Sequence, residues 1–145
     1  MGLERFLAAQ DNGVYDQALL EIKCGKKQSH WMWFVFPQLK GLGSSPTANY
    51  YGITDLEEAA EYLRHPILGK RLSGISGTLL ELPGTDATAV FGYPDDLKLH
   101  SCMTLFSQVE DADNVFKEVI EKYFKGKADT KTIRLLKDVS GSRTV

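Results

Sequence analysis

The chain has 145 residues, 43% of them hydrophobic and 25% charged, a composition typical of one folded domain and not of a disordered segment. Its 17 Lys and Arg against 19 Asp and Glu give a net charge of −2, so no overall positive charge attracts nucleic acid or an anionic membrane. Cys24 and Cys102 stand far apart without a CxxC spacing, which argues against a disulfide framework or a zinc site. The N-terminus lacks the pattern of a signal peptide, so we expect a cytoplasmic protein.

The first predicted helix lies in the segment NGVYDQALLEIKCG. Val14, Ala18 and Ile22 recur there at helical spacing and place apolar side chains on one face. Gly25 follows them and is a typical C-terminal stop. A helix is therefore expected between about residue 14 and this glycine.

The tryptophan-rich segment, SHWMWFVFPQLKGLG, covers Ser29 to Gly43. Residues 31–36 are apolar on every side of a helix and on both faces of a strand, so their periodicity permits either structure. No alternating strand pattern occurs elsewhere to pair with them, and a lone strand would leave its backbone groups unpaired. We therefore predict a buried helix that Ser29 caps and Pro37 ends.

The next segment, KGLGSSP, is expected to be a loop that leads into a helix beginning near Ser45. As an alternative, its glycines, its serines and Lys40 could cradle a phosphate through backbone amides at the start of that helix. The segment lacks both the Walker pattern and the dinucleotide-binding GxGxxG pattern. The loop is therefore the default interpretation.

Two helices are expected between residues 54 and 82. Thr54 or Asp55 would cap the first, which carries acidic residues in its first turn and ends before Pro66. The second would restart with that proline in its first turn. Its glycines weaken it as a helix and are expected to mark close helix packing; they are Gly69, Gly74 and Gly77.

A further helix is predicted in FGYPDDLKLHSCMTLFSQV, residues 91–109, with Pro94 and two aspartates at its start. On a helical wheel its apolar residues form one arc, and Lys98 stands inside that arc. The opposite side is expected to be polar and consists of Asp96, His100, Ser101, Thr104, Ser107 and Gln108.

The C-terminal part offers the clearest helix, DNVFKEVIEKYFKG, with an apolar stripe and a closing glycine. It also offers Glu118–Lys122 as an i,i+4 ion pair. Asp129 is expected to cap a short final helix, and residues 139–145 are expected to form a flexible tail. The prediction for residues 1–138 is an all-α fold, a compact multihelical single domain of short and medium helices in the manner of a helical bundle.

Asp95 and Lys98 are the first candidates for a functional site. Their spacing places a carboxylate and an ammonium on nearly the same side of a helix, at the rim of its buried stripe. In one interpretation, Lys98 lays its stem along the core and Asp95 is its ion partner. In the other, both side chains line a pocket and contact a ligand.

Four residues of the tryptophan-rich segment complete the candidate set: His30, Trp31, Trp33 and Lys40. The histidine is either a hydrogen-bonded core residue or a ligand contact. The tryptophans serve either as core or as a surface on which a flat ring stacks. No spacing of His, Cys and acidic residues suggests a metal, and no cofactor motif is present.

Three blocks, HWMWFVFPQLKGLGSSP, YGITDLEEAAEYLRHPILGKRL and FGYPDDLKLHSCMTLF, resemble the bacterial and fungal family known as domain of unknown function 1810. The resemblance runs from about Leu3 to Leu136 and implies a compact multihelical domain, but it supplies no reaction and no catalytic residue. Some members carry the label calpastatin. Calpain inhibitors of that name act through disordered segments, whereas this chain contains two Trp, six Tyr and seven Phe, so we do not expect protease inhibition.

We therefore expect a helical domain that binds, and in one version hydrolyses, a small polar ligand such as a nucleotide or an ADP-ribose-like compound. In a hydrolase, Asp95 would activate water, Lys98 would hold a phosphate and His30 would contact the leaving group. The alternative is a non-enzymatic protein-interaction module, for which the sequence names no partner. Nucleic acid and membrane are not expected partners.

Overall fold

The computed structural model describes residues 2–143, with side chains up to Val139. Within this range there are ten helices and no strand, which confirms the all-α prediction. An isolated parallel bridge pairs Leu39 with Ile53. The helices are α1 (Glu4–Gln10), α2 (Val14–Lys23), α3 (Met32–Val35), α4 (Pro46–Tyr51), α5 (Leu56–Arg64), α6 (Leu68–Glu81), α7 (Ala87–Phe91), α8 (Asp95–Ser107), α9 (Val115–Phe124) and α10 (Thr130–Arg143).

Helix α8 lies at the centre of the fold and contacts α5, α7, α9 and α10. The polar side of this helix is partly enclosed, since Asp96, Ser101 and Thr104 are buried together with the apolar residues. The hydroxyls tolerate burial because each has a hydrogen-bond partner. Ser101 Oγ donates to the carbonyl of Leu97, and Thr104 Oγ1 accepts from the amide of Asp129.

The tryptophan-rich segment contains a helix, as predicted, but α3 is a single turn that begins after Trp31. Ser29 does not cap it, since both its amide and its hydroxyl donate to the carboxylate of Glu21. The amide of Lys40 donates to Ile53 and the amide of Ile53 donates to Gln38, which accounts for the isolated bridge.

Helix caps agree with the sequence at α4 and α5, where Ser45 and Asp55 accept from the first turn. Helix α6 begins two residues later than expected, at Leu68. The side chain of His65 explains this start, because its Nδ1 accepts hydrogen bonds from the amides of Ile67 and Leu68. A polar acceptor ahead of the helix thus replaces the proline as its starting signal.

Two short helices, α1 and α7, were not predicted from periodicity. Helix α1 is held by Arg5, whose guanidinium donates to the carbonyls of Tyr50 and Gly52. Phe6, next to it, is completely buried. Tertiary contacts therefore stabilise a helix that is too short to be stable alone.

The C-terminal helices largely follow the prediction. The apolar stripe of α9 is buried from Val115 to Tyr123. Helix α10 starts after Asp129 as expected, and its backbone stays helical to Arg143, into the segment expected to be a flexible tail. The side chains beyond Val139 and the last two residues lie outside the described part, so the flexibility of 139–145 stays a prediction. No helix of residues 2–143 combines the length and apolar character that a bilayer crossing requires.

Candidate functional site

A cleft of about 380 Å³ lies between the tryptophan-rich segment, α4, the first turns of α8 and the start of α10. Its apolar wall includes Leu39, Leu42, Ala48, Tyr51 and Leu97, and its polar groups belong to Gln38, Lys98, His100, Ser101, Asp129 and Lys131. Leu97 and Lys131 are exposed, so solvent reaches the cleft. An apolar cleft with a few placed polar groups is the usual form of a small-molecule site.

Lys98 is fixed at the wall of this cleft by an aromatic ring and a carboxylate. Its Nζ lies 4.3 Å from the ring centroid of Trp33 and 3.0 Å from Asp95 Oδ1. Lys27 approaches the other oxygen of the same carboxylate, with its Nζ 2.9 Å from Asp95 Oδ2. Two ammonium groups therefore share one carboxylate, which leaves one positive charge in excess beside the cleft.

The shared carboxylate is held in its ionised form. Burial alone would raise the pKa of Asp95, but hydrogen bonds and positive charges from Lys27 and Lys98 lower this pKa below its ordinary value. A carboxylate with a lowered pKa is a weak base. Asp95 is thus better suited to hold the two lysines than to take a proton from water.

The other sequence candidates lie elsewhere. His30 is exposed and does not line the cleft. Trp31 is 1% exposed and its Nε1 donates to Glu21, so it belongs to the core. Lys40 is exposed and also lies outside the cleft lining. The structure therefore brings Trp33 and Lys98 together with Asp95 beside them, and the binding roles of all six residues stay predictions.

Gln38 is a cleft residue that sequence reasoning missed. It is 9% exposed, and its Nε2 is buried without a hydrogen-bond partner among the described residues. A buried donor without an acceptor is costly, so native proteins rarely leave one. The available signal was a glutamine within an apolar run, directly after Pro37 and before Leu39.

The end of the cleft at α10 is polar, and its side chains are joined by hydrogen bonds. His100 Nε2 donates to the carbonyl of Lys127 at 2.6 Å, and its ring stacks on Phe124 with a centroid distance of 4.0 Å. The carboxylate of Asp129 accepts from Ser101 and from Thr132 in the first turn of α10. Asp129 was predicted as the cap of this helix, but its contact with Ser101 and that of His100 with Lys127 join residues more than 25 positions apart, which no local pattern predicts.

No metal centre is formed by the described side chains, since no three His, Cys, Asp or Glu groups come together as ligands. Cys102 is completely buried, and burial raises the pKa of its thiol well above the ordinary value. A thiol of this kind is a core group and not a nucleophile.

Comparison with known proteins identifies the family. Residues 1–136 match the family described as Protein of unknown function (DUF1810). The chain belongs to the DUF1810 family. This DUF1810 protein is also similar to the conserved hypothetical protein Rv1873 from Mycobacterium tuberculosis, whose crystal structure is known. The two sequences are 49% identical over 92% of this chain and 95% of that one, with a TM-score of 0.89. No curated protein matches the chain.

Proposed function

We propose that this DUF1810 protein binds a small polar ligand, of nucleotide-like or ADP-ribose-like chemistry, in the cleft beside Trp33. The observation that carries the proposal is one cleft with an apolar wall, an ammonium held in place at Lys98 and a buried amide without a partner at Gln38. Apolar surface suits a ring, and the placed polar groups suit charged or hydrogen-bonding substituents.

The proposal is for binding and not for hydrolysis. Asp95, the base considered for hydrolysis, is paired with two lysines and its pKa is lowered. His30, considered for the leaving group, does not line the cleft. The histidine that lines the cleft, His100, uses Nε2 to bond a backbone carbonyl. None of these groups is arranged as a general base beside a nucleophile.

A thermal-shift series tests the proposal. Nucleotides, nucleosides and ADP-ribose compounds at millimolar concentration should include at least one that raises the melting temperature, because a ligand that binds only the folded state stabilises it. Lys98→Ala should abolish this rise. Lys117→Ala, an exposed lysine of α9 far from the cleft lining, is the matched control and should leave the rise unchanged.

Two outcomes would contradict the proposal. If no compound in the series stabilises the wild-type protein, the cleft does not have the proposed role. If a compound stabilises wild type and Lys98→Ala equally, binding occurs elsewhere on the molecule. Either result would show that the cleft is not the binding site that we propose.

A further inference from the structure

We infer that the ligand is a mononucleotide, whose base is recognised by Gln38 and whose phosphate is bound between Lys98 and Lys131; this inference rests on the proposed function. Three independent features of the cleft lead to it: the unpaired amide, the balance of charges and the volume.

The side chain of Gln38 calls for a ligand with a hydrogen-bond acceptor. Its Nε2 has no hydrogen-bond partner among the described residues and is closed off from solvent, while the residue itself lines the cleft, so the amide group must turn towards the cleft to meet a ligand. A carbonyl oxygen or a ring nitrogen supplies the missing acceptor, and nucleobases carry both. A site that hydrogen-bonds a substrate group discriminates strongly against analogues without that group, so Gln38 is the residue expected to determine specificity.

The charges around the cleft favour an anion. Lys98 and Lys131 line it, whereas Asp129 is the only acidic residue of the described lining, and its carboxylate already accepts from Ser101 and Thr132. Lys98 shares Asp95 with Lys27, so that carboxylate does not neutralise both lysines.

The volume favours one nucleotide over two. At about 380 Å³ the cleft lies near the lower end of the range, about 300–1,000 Å³, that small-molecule pockets occupy. An ADP-ribose-like compound would leave much of its length outside. A single base with its sugar and phosphate is closer to the size that this cleft encloses.

The position of the base is limited by Lys98, which already covers one face of Trp33. The ammonium of Lys98 covers a face of Trp33 at 4.3 Å, so that face is not available for stacking. The base would instead lie against the aliphatic wall formed by Leu39, Leu42 and Ala48, with its edge towards Gln38. Trp33 then acts by holding the lysine that meets the phosphate.

Calorimetric titration of the full chain tests this assignment with four classes of compound: nucleoside monophosphates, nucleosides, ribose 5-phosphate and ADP-ribose. The wild-type protein should bind at least one nucleoside monophosphate ten or more times tighter than the matching nucleoside, ribose 5-phosphate or ADP-ribose. This result would show that the base and the phosphate both contribute to the affinity, and that the additional ribose phosphate of ADP-ribose does not.

Two cleft variants separate the two ends of the ligand. Gln38→Leu should weaken binding of the monophosphate and the nucleoside tenfold or more and leave ribose 5-phosphate unchanged. Lys131→Ala should weaken the monophosphate and ribose 5-phosphate and leave the nucleoside unchanged. The matched controls are Gln28→Leu and Lys137→Ala, both at exposed positions outside the cleft lining, and neither should change any affinity.

Folding is monitored through the melting temperature of each ligand-free variant. Gln38→Leu should melt at the same temperature as wild type or higher, because it removes a buried donor that has no partner. A lower melting temperature would show that the amide serves the fold, and this result would overturn its assignment to the ligand.

Other outcomes overturn the inference while the proposed function stands. They are tighter binding of ADP-ribose than of any monophosphate, equal binding by nucleoside and monophosphate, or an unchanged affinity in Gln38→Leu. A bound water that remains the partner of Gln38 in the complex would also overturn it. Absence of binding by all four classes would instead end the proposed function itself.

Discussion

At the scale of single residues, Glu21 is a buried carboxylate that accepts five hydrogen bonds. It is 4% exposed, and its carboxylate accepts from Gln17 Nε2, from the amides of Gln28 and Ser29, from Ser29 Oγ and from Trp31 Nε1. One side chain of α2 thereby fixes the start of the tryptophan-rich segment. Helical periodicity gave this glutamate no role, because four of its five hydrogen bonds come from residues that follow the end of α2.

Replacing Glu21 by Ala should lower the free energy of unfolding by about 3 kcal/mol, because several buried donors would lose their acceptor at once. Urea denaturation measures the change. Glu61→Ala, at an exposed position of α5, should change the stability by less than about 0.5 kcal/mol. Equal effects of the two substitutions would contradict the structural role of Glu21.

The same carboxylate predicts a dependence of stability on pH. Burial raises the pKa of Glu21, but hydrogen bonds from Ser29, Gln17 and Gln28 outweigh it and lower the pKa from 4.5 to about 2. Because the folded state holds the proton less tightly than the unfolded state, this contribution is complete above about pH 4.5 and disappears as the pH falls towards 2. At about 1.4 kcal/mol per pKa unit, it amounts to about 3 kcal/mol.

We therefore expect the stability difference between wild type and Glu21→Gln to shrink steadily as the pH falls from 5 to 2. Denaturation at four or five pH values in this range measures it. A difference that is constant over the range would show that the ionised carboxylate is not what stabilises the segment.

At the scale of elements, the contact between α5 and α6 depends on a glycine. A Cβ at Gly69 would lie 2.0 Å from the carbonyl oxygen of Leu63, so the two helices approach at a distance that no other residue permits. The expectation that all three glycines of α6 mark close packing is only partly met. Gly74 has only the hydroxyl of Tyr15 near its Cβ position, at 3.6 Å, and Gly77 has no atom within 4 Å.

Two substitutions in α6 should therefore change the free energy of unfolding in opposite directions. Gly69→Ala should destabilise the protein by about 2 kcal/mol or more, because the helices must separate. Gly77→Ala should stabilise it by about 0.5–1 kcal/mol, because alanine favours the helix and meets no neighbour. Thermal or urea denaturation of both variants gives the comparison, and destabilisation by Gly77→Ala would contradict it.

The C-terminus of α6 is capped by side chains of α9. Lys122 of α9 donates to the carbonyls of Leu79, Leu80 and Leu82, and Tyr123 donates to Leu79 as well. These carbonyls have no partner within their own helix end. The expected ion pair between Glu118 and Lys122 is not among the described salt bridges, because the ammonium is directed to α6.

At the scale of the whole molecule, α8 is the hub and α10 is attached to one side of it. Helix α8 packs against α5, α7, α9 and α10. Among the described residues, α10 packs mainly against α8. Asp129 joins the two, since its carboxylate accepts from Ser101 and its amide donates to Thr104. A helix held on one side opens more readily than one enclosed on all sides.

Native-state hydrogen exchange should show this hierarchy. Amides of α8 should exchange only through global unfolding, and those of α10 through local opening with a lower free energy. Asp129→Ala should speed exchange in α10 and leave α8 close to wild type. Asp138→Ala, at an exposed position of α10, serves as the control. Equal acceleration in both helices would mean that the fold opens as one unit.

Patterns within about four residues of each other are sufficient to predict most of the helices and their caps, because the contacts that form a helix are local. This is why α2, α5 and α9 and the caps at Ser45 and Asp55 agree with the sequence. The cleft has a different origin. It requires Trp33, Lys98 and Lys131 to line one cavity, and it leaves the side-chain Nε2 of Gln38 buried without a partner among the described residues. Such juxtapositions depend on how separate helices pack, and this packing is set by long-range contacts that no local period in the sequence records.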